Sequence, residues 1–265
     1  MFERIKSIIC HPRYIGKYHN DKVWKILLYV LLFFMLYLAV FGVRTFTENP
    51  LGEEADRIII SDVISSQSQS ITYDSENHTL KGNEFSIVND SYAFYVLPTR
   101  EVKQALGLVN IILDETKGYV YYGTYLVSEI EYTQIFVDSF SFDGVSSNNT
   151  KDIFYFRSFI NEVLNSSFGF FRSMNFVEGI VQSITMYLML FFLSFIFAKI
   201  INPTIEKKVR AKLVLYDTII YFVVAMISSL FNVGAFIYVA YSLPVIYTSI
   251  TFRHIVRVVI PKRGV

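Results

Sequence analysis

Two acidic residues, Glu178 and Asp217, adjoin long apolar stretches and have the clearest potential for chemistry inside a membrane. Ionisable side chains within membrane spans commonly mark ion or proton pathways, because a charge is costly to place in hydrocarbon. Both residues are therefore candidate intramembrane functional residues. Their positions near the ends of the apolar stretches also fit a second interpretation, in which each carboxylate meets water at the membrane interface.

The other titratable residues form no recognisable catalytic or metal-binding pattern. The 265-residue chain has four histidines and one cysteine, Cys10, so neither an internal disulfide nor a thiolate metal cluster is expected. His78 is the single histidine between the first two apolar stretches, which argues against a zinc site or a Ser-His-Asp triad there. Acidic pairs such as Glu129 and Glu131 lack the spacing of a calcium loop. We predict no enzyme activity, cofactor or metal.

Four apolar stretches must position these acids, and each is long enough for a helix to cross a bilayer, which needs about 20 residues. The composition, 53% hydrophobic and 18% charged, is typical of a membrane protein. A cleaved signal peptide is disfavoured because the first stretch is too long and no small-residue cleavage site follows it. The predicted spans are residues 23–43, 177–201, 213–231 and 233–251, the last three forming a bundle at 177–252.

Basic residues cluster at three places along the chain. Residues 1–25 contain six basic and two acidic residues, residues 199–212 contain five and one, and the segment after Thr251 contains four and none. The positive-inside rule places all three clusters in the cytoplasm, so both termini lie on the cytoplasmic side of the cell (plasma) membrane. Residues 1–22 then form a cytoplasmic amphipathic segment, and residues 253–265 form a basic cytoplasmic tail.

The N-terminal segment and several aromatic residues are expected to contact the membrane surface. Phe2, Ile5, Ile8 and Ile9 share one helical face, which predicts a short interfacial helix on anionic headgroups; a site for a regulatory partner is the alternative. Aromatic residues are enriched where a span meets the headgroup layer. The predicted interface anchors are Trp24, Phe170 and Phe171, the latter two within the aromatic link Phe168–Phe176.

The segment 44–176 lies outside the cell in this topology and is long enough to bury its own core. Apolar spacing predicts helices at Leu51–Gln67, at Arg100–Leu106 and at Lys151–Leu164, and Asp138–Thr150 is typical of a loop. The fold class is therefore an integral membrane α-helical protein of four spans with an inserted extracytoplasmic α+β domain. The predicted strands are Ile71–Tyr73, Glu84–Val88, Tyr92–Leu97, Leu108–Leu113, Tyr119–Tyr125 and Tyr132–Val137.

Three short motifs carry a family resemblance: the basic start Pro12–Tyr18, the pair Asn77–Leu80 and Glu84-Phe85, and Phe94–Thr99. With the external segment and the three-span block, they resemble the MalA-like maltodextrin-utilisation membrane proteins, a bacterial integral membrane family of unknown function. Where such proteins often show Asp before the Pro-Thr pair and Gly after it, this chain has Leu97 and Arg100. The resemblance implies a Gram-positive-type cell membrane and a link to maltodextrin uptake.

These features predict a non-enzymatic accessory or regulatory membrane protein, either a sensor or a scaffold, whose extracytoplasmic domain binds a ligand or a partner. The expected partners are the lipid bilayer and a membrane protein or further copies of this chain; nucleic acid is not expected, and a small-molecule ligand is left open. The alternative is a subunit of a membrane transport system, although no inverted repeat is visible. An intramembrane enzyme ranks third.

Overall fold

The structure, a computed structural model, falls into two compact units. The helical unit comprises Met1–Thr47 and Asn175–Val265, and the sheet unit comprises Glu48–Met174. The predicted helix Arg100–Leu106 and residues 256–265 of the basic tail lie largely outside the described part of the chain. The described residues are 2–51, 55–65, 70–90, 92–99, 102, 104, 108–143 and 150–255.

Helices and strands alternate in blocks along the described chain. The helices are α1 (Phe2–Cys10), α2 (Val23–Thr47), α3 (Ala55–Ser65), α4 (Thr150–Asn165), α5 (Phe168–Ile201), α6 (Lys207–Thr218), α7 (Ile220–Phe231) and α8 (Ala235–Ile255), with 3-10 helices at Pro12–Tyr18 and Tyr132–Gln134. The strands are β1 (Ser70–Asp74), β2 (Thr79–Gly82), β3 (Phe85–Val88), β4 (Tyr92–Val96), β5 (Val109–Leu113), β6 (Lys117–Tyr122), β7 (Tyr125–Glu131) and β8 (Phe140–Asp143).

Four helical stretches are long and apolar enough to cross a membrane: α2, α5, α6 together with α7, and α8. This confirms the four apolar spans and supports a multi-pass membrane protein with a separate region of β-sheet. The second span is longer than expected, because α5 begins at Phe168 rather than at residue 177. The aromatic link before the span is therefore helical.

Close packing in the helical unit depends on small and aromatic residues. α7 packs against both α2 and α8. A Cβ atom added at Gly179 of α5 would overlap the ring of Phe41 on α2, so this crossing needs a glycine. Asn232 ends α7 in a left-handed conformation, with φ of 52°, which asparagine tolerates better than most residues. It forms a tight turn before α8.

The N-terminal segment, residues 2–22, differs from its prediction. The spacing of apolar residues does produce a helix, α1, but Ile8 is fully buried within the core of the helical unit, and so is Ile15 of the following 3-10 helix. The 3-10 helix packs against α8 and α6. The apolar face therefore contacts protein rather than lipid headgroups, because a complementary apolar surface is available within the chain.

The sheet unit contains a three-stranded sheet in the order β2-β1-β8 and a five-stranded sheet in the order β3-β4-β5-β6-β7. Neighbouring strands are antiparallel except for β4 and β5, which run parallel and so need a crossover connection. The core between the sheets and α4 is aromatic. Its central ring, Phe159, lies 4.8 Å from Tyr73 and 4.9 Å from Tyr132, measured between ring centroids.

Phe171 belongs to this core, and the prediction that it anchors the protein at the membrane interface is corrected. Only 4% of its surface is exposed, and its ring packs edge-on against Tyr122 of β6. Phe170 is half-buried and stacks on Tyr125 of β7. Both aromatic side chains cover the end of the sheet, because the first turns of α5 belong to the sheet unit.

Strand predictions were right where the local pattern was strong. Five of the six predicted strands correspond to β1, β3, β4, β5 and β6. The predicted strand Tyr132–Val137 is wrong, since Tyr132–Gln134 forms a 3-10 helix and the strand precedes it as β7. Two further strands were not predicted: β2 lies where no element was assigned, and β8 lies within the predicted loop Asp138–Thr150. Both pair with β1.

Candidate functional site in the helical unit

Asp217 is fully buried near the end of α6, in an apolar cluster of the helical unit. The helix is interrupted directly after it. The amide of Ile219 donates to the carbonyl of Tyr216 at 3.3 Å, and the amide of Phe222 donates to the carbonyl of Ile219 at 3.0 Å. Each of these bonds spans three residues rather than the four of an α-helix, so the span formed by α6 and α7 is locally interrupted beside its one buried acid.

Three elements that are distant in sequence meet at the Asp217 carboxyl. The hydroxyl of Thr251, on α8, lies 2.7 Å from Asp217 Oδ1. The same hydroxyl lies 3.0 Å from the carbonyl oxygen of Pro12, in the N-terminal segment. Thr251 is itself fully buried. We call these three groups the Asp217 junction, because α6, α8 and the N-terminal segment are joined through one side-chain hydroxyl.

The junction also contains buried polar atoms without a hydrogen-bond partner in the described structure. They are Asp217 Oδ2 and the hydroxyl of Thr248, one turn before Thr251 on α8. Thr248 is close enough to interact electrostatically with the carboxyl, although the geometry does not meet hydrogen-bond criteria. Among the described residues, no lysine, arginine or histidine is within ion-pair distance of Asp217. Within the described part of the chain, the acid therefore has no compensating positive charge.

A second set of polar contacts holds the N-terminal segment in place beside the junction. Arg4 forms an ion pair with Asp21 at 3.0 Å, and the hydroxyl of Tyr216 donates to the other carboxylate oxygen of Asp21 at 2.7 Å. The hydroxyl of Tyr247, on α8, donates to the carbonyl of Ile9 at 2.5 Å. The segment is thus bound through both its backbone carbonyls and its charged side chains.

Buried hydroxyls continue away from the junction through the helical unit. The hydroxyl of Thr218, next to Asp217, lies 3.2 Å from the hydroxyl of Tyr187 on α5. On the same helix, Ser183 lies 2.8 Å from the hydroxyl of Tyr37 on α2. The interior of the bundle is therefore more polar than its charged residues alone predict.

The predicted site residues are not brought together. Glu178 is exposed on α5, whereas Asp217 is buried, so the two acids have different roles in the structure. Trp24 is 55% exposed at the start of α2, and its assignment as an interface anchor stays a prediction. Pro12 and Thr251 were not predicted as part of the site.

A turn of the sheet unit also falls on a motif from the sequence. Leu97 directly follows β4 and has φ of 45°, an uncommon backbone conformation for a leucine. Glu84 accepts hydrogen bonds from the hydroxyl of Thr99 at 2.6 Å and from its amide at 3.1 Å. The turn is therefore held rigidly at the end of the sheet.

Comparison with protein-family models, with curated proteins and with solved structures finds no match to this chain.

Proposed function

We propose that this chain is a non-enzymatic accessory or regulatory membrane protein, acting as a sensor or a scaffold. In this proposal the sheet unit is an extracytoplasmic domain that binds a ligand or a partner. The helical unit then transmits the binding signal to a second membrane protein. The observation that supports this proposal is that α5 contributes side chains to the cores of both units. This one helix contributes Phe171 to the core of the sheet unit and Tyr187 and Leu190 to the core of the helical unit.

Charge supports the orientation in this proposal. Basic residues predominate in the N-terminal segment and in the connection between α5 and α6, which contains Lys207 and Lys208. Under the positive-inside rule, these regions face the cytoplasm and the sheet unit faces outward. The resemblance to MalA-like proteins suggests maltodextrins as the first ligands to test.

A native reporter is available for the test. Cys10 is exposed and is the single cysteine of the chain, so one environment-sensitive fluorophore can be attached to the N-terminal segment. The full chain in lipid nanodiscs is titrated with maltodextrins, other sugars, divalent cations and cell-wall fragments. A ligand at 100 times its dissociation constant stabilises the folded protein by about 2.7 kcal/mol, and we expect it also to change the fluorescence.

The matched variant has two glycines inserted after Asn175 in α5. It should keep ligand binding, measured as thermal stabilisation, and lose the fluorescence response, because glycines break the helix that joins the two cores. If a ligand binds to the parent chain without changing the fluorescence, the protein is not a sensor, and a receptor or a scaffold remains. If every compound fails to bind, the small-ligand form of the proposal is wrong, and cross-linking in the membrane should then identify a protein partner.

A transport subunit is the second candidate. The supporting observation is the interruption between α6 and α7 beside the buried Asp217, since discontinuous helices with buried acids are common at the substrate sites of transporters. Asp217→Asn should then abolish maltodextrin uptake by cells that express the protein normally, whereas Glu178→Gln, on an exposed acid, should not. Unchanged uptake in both variants would favour the accessory function.

A further inference from the structure

The hydrogen bonds of the Asp217 junction favour a carboxyl that holds a proton. Thr251 has one hydroxyl proton, and it lies at hydrogen-bond distance from two oxygens, Asp217 Oδ1 and the carbonyl of Pro12. An ionised carboxylate and a carbonyl are both acceptors, so Thr251 can donate to only one of them at a time. A protonated Asp217 removes the conflict, because it donates to Thr251 and Thr251 donates to Pro12.

The surroundings of the junction favour the same state. Tyr247 of α8 is the titratable side chain that interacts electrostatically with Asp217. In the described structure α1, the 3-10 helix, α6, α7 and α8 place no cationic group at ion-pair distance from the acid. The Arg4–Asp21 pair is bound to the neighbouring Tyr216 instead. A buried carboxylate without a cation or a full set of donors is strongly disfavoured.

We propose that Asp217 is a proton-binding site and that its proton holds the N-terminal segment docked against α6 and α8. When the proton leaves for bulk water, the carboxylate and the Pro12 carbonyl compete for the single hydroxyl proton of Thr251. Admitting water between the segment and α8 relieves that competition. The site's ligand is thus a single proton, and this inference does not depend on what the sheet unit binds.

The N-terminal segment lies in close contact with α8 next to the junction. A Cβ atom added at Gly16 would lie 2.8 Å from Cγ1 of Ile255, so the segment lies directly against α8 with no space for water. The docked state binds one more proton than the released state. By linkage, docking therefore weakens as the pH rises, by up to about tenfold for each pH unit.

The test measures how accessible the segment is in the full chain, in nanodiscs, from about pH 5 to about pH 9. Ser7 is 5% exposed, and serine to cysteine is a small change, so the reporter is Ser7→Cys in a Cys10→Ser background. Its rate of reaction with a water-soluble maleimide is divided by that of Cys10 in the parent chain at the same pH. This ratio removes the pH dependence that the two thiols share, and the Asp217→Asn variant below, which contains the same introduced thiol, controls for the ionisation of that thiol itself. We expect the ratio to increase with pH.

Three further variants in the reporter background distinguish a proton site from a structural contact. Asp217→Asn should give a low ratio that does not change with pH, because the amide keeps a donor to Thr251. Thr251→Val should raise the ratio at every pH, and Thr251→Ser should restore the parent profile. Glu178→Gln, the matched exposed acid, should leave the profile unchanged.

Three results would overturn the proposal. The first is a ratio that is flat with pH in the reporter chain, a measurement that needs no change at the junction. The second is an Asp217→Asn variant that keeps the pH profile of the parent. The third is a ratio at constant pH that depends on replacing Na⁺ by choline, which would identify a metal cation rather than a proton as the ligand of the site.

Discussion

Each unit buries a polar cluster at its centre, and the two clusters differ in how well their hydrogen bonds are satisfied. In the sheet unit, the buried hydroxyl of Tyr132 donates to the carbonyl of Asp114 at 2.9 Å, and the hydroxyl of Tyr73 donates to the carbonyl of Tyr132 at 3.4 Å. The buried Tyr132 hydroxyl has this one acceptor, and the Tyr73 hydroxyl also lies 3.5 Å from Nδ1 of His78. In the helical unit, Thr251 has two acceptors for one proton, and Asp217 Oδ2 has no partner.

This difference separates a structural cluster from one that can change state. Burial raises the pKa of Tyr132 well above its usual value, so its phenol stays neutral at every physiological pH and keeps its proton for the hydrogen bond. At the Asp217 junction, the direction of the hydrogen bond between Asp217 and Thr251 depends on the protonation state of the carboxyl. Buried polar groups that are fully hydrogen-bonded help to specify a fold. A buried group that is incompletely hydrogen-bonded can change its protonation state, and thereby its contacts, when the pH changes.

The largest effect should come from the aromatic core of the sheet unit. Phe159→Ala removes the ring that Tyr73 and Tyr132 contact, so we expect a loss of about 3–5 kcal/mol in the unfolding free energy of that unit. Denaturant titration, followed by tyrosine fluorescence, measures it. Phe154→Ala, on the same helix but 63% exposed, is the control and should cost far less. Equal losses would mean that the core is not centred on Phe159.

A smaller loss is expected where α5 crosses α2 in the helical unit. Gly179→Leu forces the Phe41 ring away from its stacked neighbours Tyr37 and Phe176, and overpacking of this kind costs about 1–3 kcal/mol. Thermal unfolding of the full chain in nanodiscs reports the change. The control is Gly169→Ala on the same helix, where a Cβ meets nothing within 4 Å. A destabilised control would show that α5 as a whole, rather than the crossing, is sensitive.

Tyr132→Phe tests whether the tyrosine cluster of the sheet unit is insensitive to pH. Deleting the hydroxyl leaves the Asp114 carbonyl without its donor, so the sheet unit should lose about 1 kcal/mol. The loss of stability caused by the substitution should be the same at every pH from 5 to 8, because these values lie well below the raised pKa of the phenol. Denaturant titrations of parent and variant at several pH values give this difference. A loss that varies with pH would show that the tyrosine cluster is also titratable.

The smallest effect concerns an exposed carboxylate of the sheet unit. Hydrogen bonds from the side chain and amide of Asn77 lower the pKa of Asp74. A lowered pKa stabilises the folded state when the pH is above the usual pKa of an aspartate. This contribution disappears as the pH falls through the lowered pKa of Asp74. Asn77→Ala should return the pKa of Asp74 towards its usual range, as measured by NMR titration of the carboxyl resonance. An unchanged pKa would assign the shift to the backbone turn alone.

Much of the fold could be predicted because it follows from local patterns. An apolar stretch of span length needs no information about its neighbours, and the strongest strands, such as β4 and β5, are rich in apolar and aromatic residues. β8 has only four residues, and it forms because β1, about 70 positions earlier, pairs with it through residues such as Ile71 and Phe142. Its existence depends on a long-range contact that no local pattern encodes.

The candidate site was predictable in part for the same reason. A single acid beside an apolar stretch is a local pattern, and this pattern alone is sufficient to identify Asp217 as a candidate. Thr251 is separated from it by 34 positions and from Pro12 by 239, and nothing in the types of these residues indicates that they meet. The spacing of Thr248 and Thr251 on one face of α8 was the available signal, although threonines at that spacing are common. Phe171 was misassigned because an aromatic residue suits both a headgroup layer and a protein core.

The contact between the N-terminal segment and α8 has a consequence for biosynthesis. Pro12 and Ile9 are synthesised before their partners on α8, Thr251 and Tyr247. The segment therefore lacks part of its docking surface until α8 has been inserted. A chain truncated before α8 would lack both hydrogen bonds and the close approach of Gly16 to Ile255, so complete docking of the segment depends on the synthesis of α8.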